Sequence, residues 1–310
     1  MEETKSNAWK AEKTAITRYF QSLQDDICRQ LEAADGTGRF REDHWERPEG
    51  GGGRSRVLEG AHIEKGGVNF SAVHGPMPER IVRALDVGSG AFYATGVSIV
   101  LHPRNPFVPI VHMNVRYFKM ENGPWWFGGG IDLTPHYVDV EEARSFHRRL
   151  KAVCDRYDSA YYPYFKQWAD DYFFLRHRNE TRGVGGIFFD RLSGEQGHSK
   201  QQRFDFVRAV GAAFCPVYLP LLEANRERSF GAAEKNWQHL RRGRYVEFNL
   251  LWDKGTRFGL DTGGRTESIL MSMPPLAAWR YDYHPESGSR EATTLRWLRK
   301  GISWLDDSLA

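Results

Sequence analysis

Three polar side chains alternate with apolar ones along Val108-Pro109-Ile110-Val111-His112-Met113-Asn114-Val115-Arg116-Tyr117. In an extended chain, successive side chains point to opposite faces. Val111, Met113, Val115 and Tyr117 then share one face, and His112, Asn114 and Arg116 the other. With same-face neighbours about 7 Å apart, an imidazole, an amide and a guanidinium form a row that could follow a ligand several atoms wide. A solvent-facing antiparallel strand alternates in the same way, and the preceding segment tips the balance toward a site. In Ala94-Thr95-Gly96-Val97-Ser98-Ile99-Val100-Leu101-His102, the residues Val97, Ile99 and Leu101 are apolar on one parity, while Gly96, Ser98 and His102 share the other. A hairpin through Pro103-Arg104-Asn105-Pro106 with an even register places Ser98 opposite His112 and merges the two polar faces into one floor.

Gly96, and Gly128 and Gly130 of Trp125-Trp126-Phe127-Gly128-Gly129-Gly130-Ile131-Asp132, leave the backbone bare where a bulky ligand can approach. Asp132 has the parity of the last two glycines. Gly259-Leu260-Asp261-Thr262-Gly263-Gly264-Arg265-Thr266-Glu267-Ser268 puts an arginine after two glycines at the mouth of an expected strand. A hairpin turn with an exposed arginine gives the same pattern. Because a guanidinium fork grips carboxylate bidentately, Arg116 and Arg265 together suit a ligand carrying more than one carboxylate.

The eleven histidines raise a second possibility, a divalent metal held by His102, His112, His147 and His177 with Asp132. No His-x-x-x-His pair occurs, and His147 shares a helix face with Leu150 and Cys154, where a structural histidine is the commoner case. His177 to Gly183 reads as the C-terminal end of a helix, its cations matched to the helix dipole.

These residues need a scaffold. Ile16, Tyr19, Phe20, Leu23, Ile27 and Leu31 predict an opening helix stopped by Gly36. Residues 36–56, with Gly50 to Gly53, Arg54 and Arg56, lack a P-loop ending and read as a flexible connector or a mobile lid whose arginines attract an anion. Strands are expected at Ala91–Leu101, Phe107–Lys119 and Trp125–Leu133, and again near Tyr245–Trp252 and Ser268–Met273. Helices are expected over Val140–Tyr157, Tyr162–Leu175 and Phe204–Leu221, and at the end through Leu295, Leu298, Ile302, Leu305 and Leu309. Runs of strands followed by runs of helices imply an α+β fold with a mainly antiparallel sheet. Neither repeat nor linker divides residues 1–310, so one domain is expected.

The net charge of 43 − 40 = +3 is too small for a dedicated nucleic-acid binder, and no run of consecutive apolar residues reaches the ~18 of a membrane span. Three separated cysteines and an acidic start without a signal core lead to the expectation of a reducing, cytoplasmic location. The 10 Trp, 13 Tyr and 19 Phe could build a large core or walls for a flat ligand.

At these motifs the sequence resembles the oxygen-dependent coproporphyrinogen III oxidase family. The resemblance is carried by Gly66-Gly67-Val68-Asn69-Phe70-Ser71, His102-Pro103-Arg104-Asn105-Pro106, Val111 to Arg116, Trp125 to Gly130 with Asp132-Leu133-Thr134-Pro135, His177 to Gly183, and Thr262 to Pro275. It runs in order from about residue 10 to the C-terminus. It implies a single α+β domain, a large antiparallel sheet flanked by helices on both faces, and a homodimer contacting through roughly Tyr245 to Arg280. It also implies conversion of coproporphyrinogen III to protoporphyrinogen IX by oxidative decarboxylation, with dioxygen as co-substrate and no cofactor needed for electron transfer. Carried over by motif, His112 is the proton donor and Asp132 faces the pyrrole N–H groups. Ser98, Asn114, Val115, Arg116, Gly263, Gly264 and Arg265 contact substrate. His102, His112, His147 and His177 match histidines assigned to a divalent metal in some bacterial members. His136 departs from the family's aromatic residue at that position. A metal-dependent oxygenase using His102, His112 and Asp132, or a tetrapyrrole carrier that binds without reacting, would draw on the same residues.

Overall fold

The computed structural model describes residues 2–77, 79, 82, 83, 87–261 and 263–309, and within these not the side chains of residues 2–8, 10 and 196. Thr262 of the glycine–arginine motif lies outside the described residues. The alternating segments form strands where expected: β4 (Ala91–Pro103), β5 (Ile110–Met120) and β6 (Trp125–Thr134). They form the centre of a seven-stranded antiparallel sheet with β1 (Arg41–Glu46), β2 (Gly51–Leu58) and β3 (Ile63–Pro76) on one side and β9 (Gly185–Leu192) on the other. A two-stranded ribbon, β7 (Phe174–Leu175) and β8 (Glu180–Thr181), lies apart from it.

One face of the sheet is largely apolar. Val97, Ile99, Val111, Met113, Val115, Tyr117, Phe127, Ile131, Ile187 and Phe189 are fully buried there, in one cluster with residues of four helices. These are α1 (Glu2–Asp35), α2 (Val140–Asp155), α3 (Tyr161–Tyr172) and α4 (Lys200–Asn225). On α1 the stripe Ile16, Phe20, Leu23, Ile27 and Leu31 is buried at helical spacing, and Gly36 turns the chain away with φ +84°. Helix α4 is long and apolar enough to cross a membrane by length and composition. Its Phe206, Val210, Phe214 and Tyr218 are instead packed in this core.

Helices also reach the opposite, polar face. Helix α3 packs along the β9 edge, with Phe165 on Phe189 of the apolar face and Tyr172 on Phe188 of the polar face, while α5 (Ala232–Leu251), α6 (Lys254–Asp261) and α7 (Thr266–Leu270) follow later in the chain. The chain is therefore a single-domain α+β fold, as the element pattern implied.

Four local expectations are corrected. Residues 36–56 are neither connector nor lid. They hold β1 and β2, and their arginines are committed: Arg54 and Arg56 each lie 2.7 Å from Asp25 of α1, with Arg56 also on Glu42. The expected strands at Tyr245–Trp252 and Ser268–Met273 are helical, because Trp237, Arg241, Tyr245 and Phe248 recur on the buried side of α5 at helical spacing. His177 to Gly183 is not a helix end but the turn and short strand after β7. The terminal helix is only α8 (Arg290–Trp297). Beyond it Gly301 takes φ +78°, and turns bring Ile302 and Trp304 into the core.

Candidate active site

Register decides which polar side chains meet. In β4 and β5 Ser98 is opposite Asn114, and Val100 is opposite His112, two residues away from the expected pairing. The connection is longer than a tight hairpin: Asn105 accepts from the Phe107 N–H and donates to the Arg226 and Arg228 carbonyls, rounding off a loop over 104–109. A slip of two preserves parity, so the floor forms as expected. One rung runs Ser55–Asn69–Ser98–Asn114–Gly130–Phe188 across six strands, and a neighbouring rung runs Val100–His112–Asp132–Gly186.

At the second rung, His112 Nδ1 lies 2.7 Å from Asp132 Oδ1. A carboxylate there accepts, so Nδ1 carries the proton. Among the described residues Nε2 has no hydrogen-bond partner in the protein. Asp132 is 2% exposed, and Arg182, also 2% exposed, donates to both its oxygens at 2.7 and 2.6 Å. The Arg182 guanidinium lies among Phe173, Tyr245 and Phe248, 4.3–4.8 Å from the ring centroids, and donates to Asn249 Oδ1 at 2.8 Å. Burial pushes the Asp132 carboxyl up, but Arg182 and His112 more than offset it, so it stays ionised below the ordinary range.

The first rung is more open. Arg116, 34% exposed, donates to Asn114 Oδ1 at 2.6 Å and lies 2.9 Å from Asp190 Oδ1 of β9. At the far end Asn69 donates to the Ser268 carbonyl at 2.7 Å and Ser55 Oγ meets Ser268 Oγ at 2.9 Å, which fixes α7 above β2 and β3. Arg265, just before α7, reaches Ser268 Oγ at 3.1 Å and pairs with Asp43. Ser55 and Asn114 are three strand spacings apart, so the two arginines bracket a floor about 14 Å wide. One end of the floor carries aromatic rings, Tyr172 stacked on Phe188 at 4.1 Å and Phe173 edge-on to His112 at 6.2 Å.

A floor with two separated arginines, an imidazole on the same strand as one of them and glycines beneath suits a broad polycarboxylate. A family model for coproporphyrinogen III oxidase matches residues 15–304. The chain belongs to the coproporphyrinogen III oxidase family. It is 50% identical over 312 residues to the oxygen-dependent coproporphyrinogen-III oxidase of Prochlorococcus marinus strain MIT 9313, covering 92% of this chain and 89% of that protein. Against the protein of the same name from strain NATL1A, identity is 50% over 311 residues, covering 92% and 89%.

Not every residue singled out in the sequence belongs to this coproporphyrinogen oxidase floor. The four histidines do not assemble. His102 is buried against Tyr245 with Nε2 on the Ser272 carbonyl at 2.8 Å. His147 lies in the helix layer on the apolar side, between the Tyr162 hydroxyl and the Val184 carbonyl. His177 is held by Glu247 and Trp252. Burial holds His102 and His147 down at about 3, so both are neutral structural imidazoles. Among the described residues no group of three His, Cys, Asp or Glu is placed to hold a metal ion. The Val115 side chain is fully buried on the apolar face, so only its backbone is on offer to a ligand. Gly263 and Gly264 lie in the turn between α6 and α7, not in a hairpin, with Gly263 at φ +68°.

Two residues of the site escape sequence reading. Arg182 lies in a motif that reads as a helix end, and the helix whose dipole would explain its charge is absent. Asp190 shares the parity of Phe188 on β9, which is not among the expected strands.

Proposed function

We propose that this chain catalyses the oxygen-dependent decarboxylation of coproporphyrinogen III to protoporphyrinogen IX, turning two propionates into vinyls during porphyrin biosynthesis. The observation that carries the residue-level reading is the His112–Asp132–Arg182 array set in the same floor as Arg116 and Arg265. For each propionate carboxylate, one dioxygen and one proton enter; a vinyl group, one carbon dioxide and one hydrogen peroxide leave. The electron-rich ring supplies two electrons to oxygen. A hydrogen leaves the propionate β-carbon as the carboxyl carbon departs, and the remaining proton must come from an acid.

His112 fits that role, since Asp132 holds its Nδ1–H and its Nε2 is the nitrogen left for a ligand. Asp132 has both oxygens occupied and little exposure, which favours action through His112: it fixes the Nδ1–H tautomer and stabilises the imidazolium before the proton is given up. Arg116 and Arg265, with Ser98 and Asn114 between them and the backbone at Val115, Gly263 and Gly264, would bind the carboxylates and span the macrocycle. No cofactor carries electrons in this scheme.

Incubation with coproporphyrinogen III without air, followed by admission of air, tests the activity. Vinyl product with one oxygen consumed per carbon dioxide released is expected; retained substrate with neither gas exchanged would identify a carrier.

A homodimer through residues 245–280 is part of this proposal. Leu250, Leu251, Phe258, Leu260, Leu276 and Trp279 are exposed along that segment, a concentration of large apolar side chains that suits an interface. Sedimentation should give twice the chain mass. A cytoplasmic location is supported by Cys28, Cys154 and Cys215, all buried thiols without a disulfide.

A further inference from the structure

Arg116 is flanked by glycine on both neighbouring strands, Gly96 of β4 and Gly128 of β6. The second gap is filled from further away. A Cβ at position 128 would meet Asp190 Oδ1 at 2.6 Å and Arg116 Cζ at 2.8 Å, so the arginine of β5 and the aspartate of β9 meet over the bare backbone of β6. The β6–β9 register shifts between Phe127 and Gly129, and Arg191 takes φ +52°, a left-handed conformation unusual for a side-chain-bearing residue. Such bulges re-aim a side chain beside functional sites, and here the re-aimed residue is Asp190.

The resulting pair is close but poorly made. Asp190 Oδ1 is buried 2.9 Å from Arg116 Nη2, yet it receives no aligned hydrogen bond. The aligned bond from Arg116 goes to Asn114 instead. A guanidinium has five donors in a fork, and a carboxylate arriving from above the floor can take two of them in line.

We propose that Asp190 is an internal stand-in for a substrate carboxylate. It keeps the Arg116 fork extended and in place while the floor is empty, and it gives way to a propionate that satisfies the fork better. Asp190 thereby sets the affinity for carboxylate-bearing rings. This rests on the reading of Arg116 as a substrate-carboxylate ligand. Arg265, ending on Asp43, repeats the arrangement at the other end of the floor.

The test is fluorescence titration with coproporphyrin III, the oxidised and unreactive form of the ring. Four variants are compared with wild type: Asp190→Asn, Arg116→Gln, the double variant, and Asp155→Asn, which makes the same charge change at a surface pair on α2. Asp190→Asn should tighten binding roughly two- to fivefold, the range of a half-exposed ion pair. The gain should vanish in the Arg116→Gln background and be absent in Asp155→Asn. With reduced substrate, Asp190→Asn should lower KM by more than it changes kcat. Weaker or unchanged binding in Asp190→Asn, with Arg116→Gln still impaired, would overturn the stand-in role alone. Equal tightening in Asp155→Asn would do the same. Wild-type affinity in Arg116→Gln would overturn both this inference and the reading beneath it.

Discussion

Asp132–Arg182 and Arg116–Asp190 are both carboxylate–guanidinium pairs on the polar side of one sheet, and they are built for opposite purposes. The first is sealed: both partners are 2% exposed, three aromatic rings surround the cation, and the carboxylate oxygens receive aligned bonds. The second is 34% exposed on each side and lacks an aligned bond to the buried oxygen. Removing one member of a sealed pair strands a charge where water cannot reach it, whereas an open pair exchanges partners at little cost. Proton chemistry needs the first property, because His112 must hold one tautomer through each turnover. Binding needs the second, because a substrate can only use a cation that lets go.

The sharpest way to break this contrast is Asp132→Asn. Loss of the carboxylate should cut kcat by about 10²–10⁴-fold, the usual worth of a positioned acid–base group, with KM nearly unchanged. A fall in affinity matching the fall in kcat would show that Asp132 binds the ring directly instead of acting through the imidazole.

Arg182→Met comes next. An uncompensated buried carboxylate should cost about 3–5 kcal/mol in urea unfolding. The double variant Arg182→Met with Asp132→Leu should recover most of that stability while remaining inactive, because an apolar pair of similar size relieves the stranded charge without restoring the carboxylate that positions His112. Arg116→Gln, by contrast, should move stability by less than about 1 kcal/mol. If Arg182→Met were equally mild, the distinction between sealed and open pairs would be lost.

Each pair is half legible in the sequence, with Asp132 and Arg116 read from it and Arg182 and Asp190 not. Strict alternation in Val111 to Tyr117 exposes the β5 floor, because one face of that strand must be apolar to cover α1 and α4. The glycines at 96, 128 and 130 are legible for the same reason. Arg182 is not, since its role depends on Phe173, Tyr245 and Phe248 closing around it from distant segments, and no local period encodes that. The α5 segment Tyr245–Trp252 reads as a strand because a short apolar run fits both periods; only the longer spacing back to Trp237 reveals the helix. The register of β4 on β5 depends on Asn105 bonding the Arg226 and Arg228 carbonyls, again a tertiary matter.

Acid stability is the smallest and most local test, and it belongs to the sealed half. His102 packs edge-on against Tyr245, one of the rings around Arg182, and burial with nearby Arg242 holds its pKa at about 3 against 6.5 when exposed. Between those values the unfolded chain binds a proton that the folded chain refuses. The contribution is therefore complete above pH 6.5 and is lost as pH falls below it. Glutamine at 102 can still donate to the Ser272 carbonyl as Nε2 does, but it does not titrate. His102→Gln should flatten the fall in urea midpoint between pH 6 and pH 5 by up to one proton, roughly 1.4 kcal/mol per pH unit. An unchanged slope would mean that His102 takes up its proton in the folded chain, and the layer beneath Arg182 would then be wetter than its packing implies.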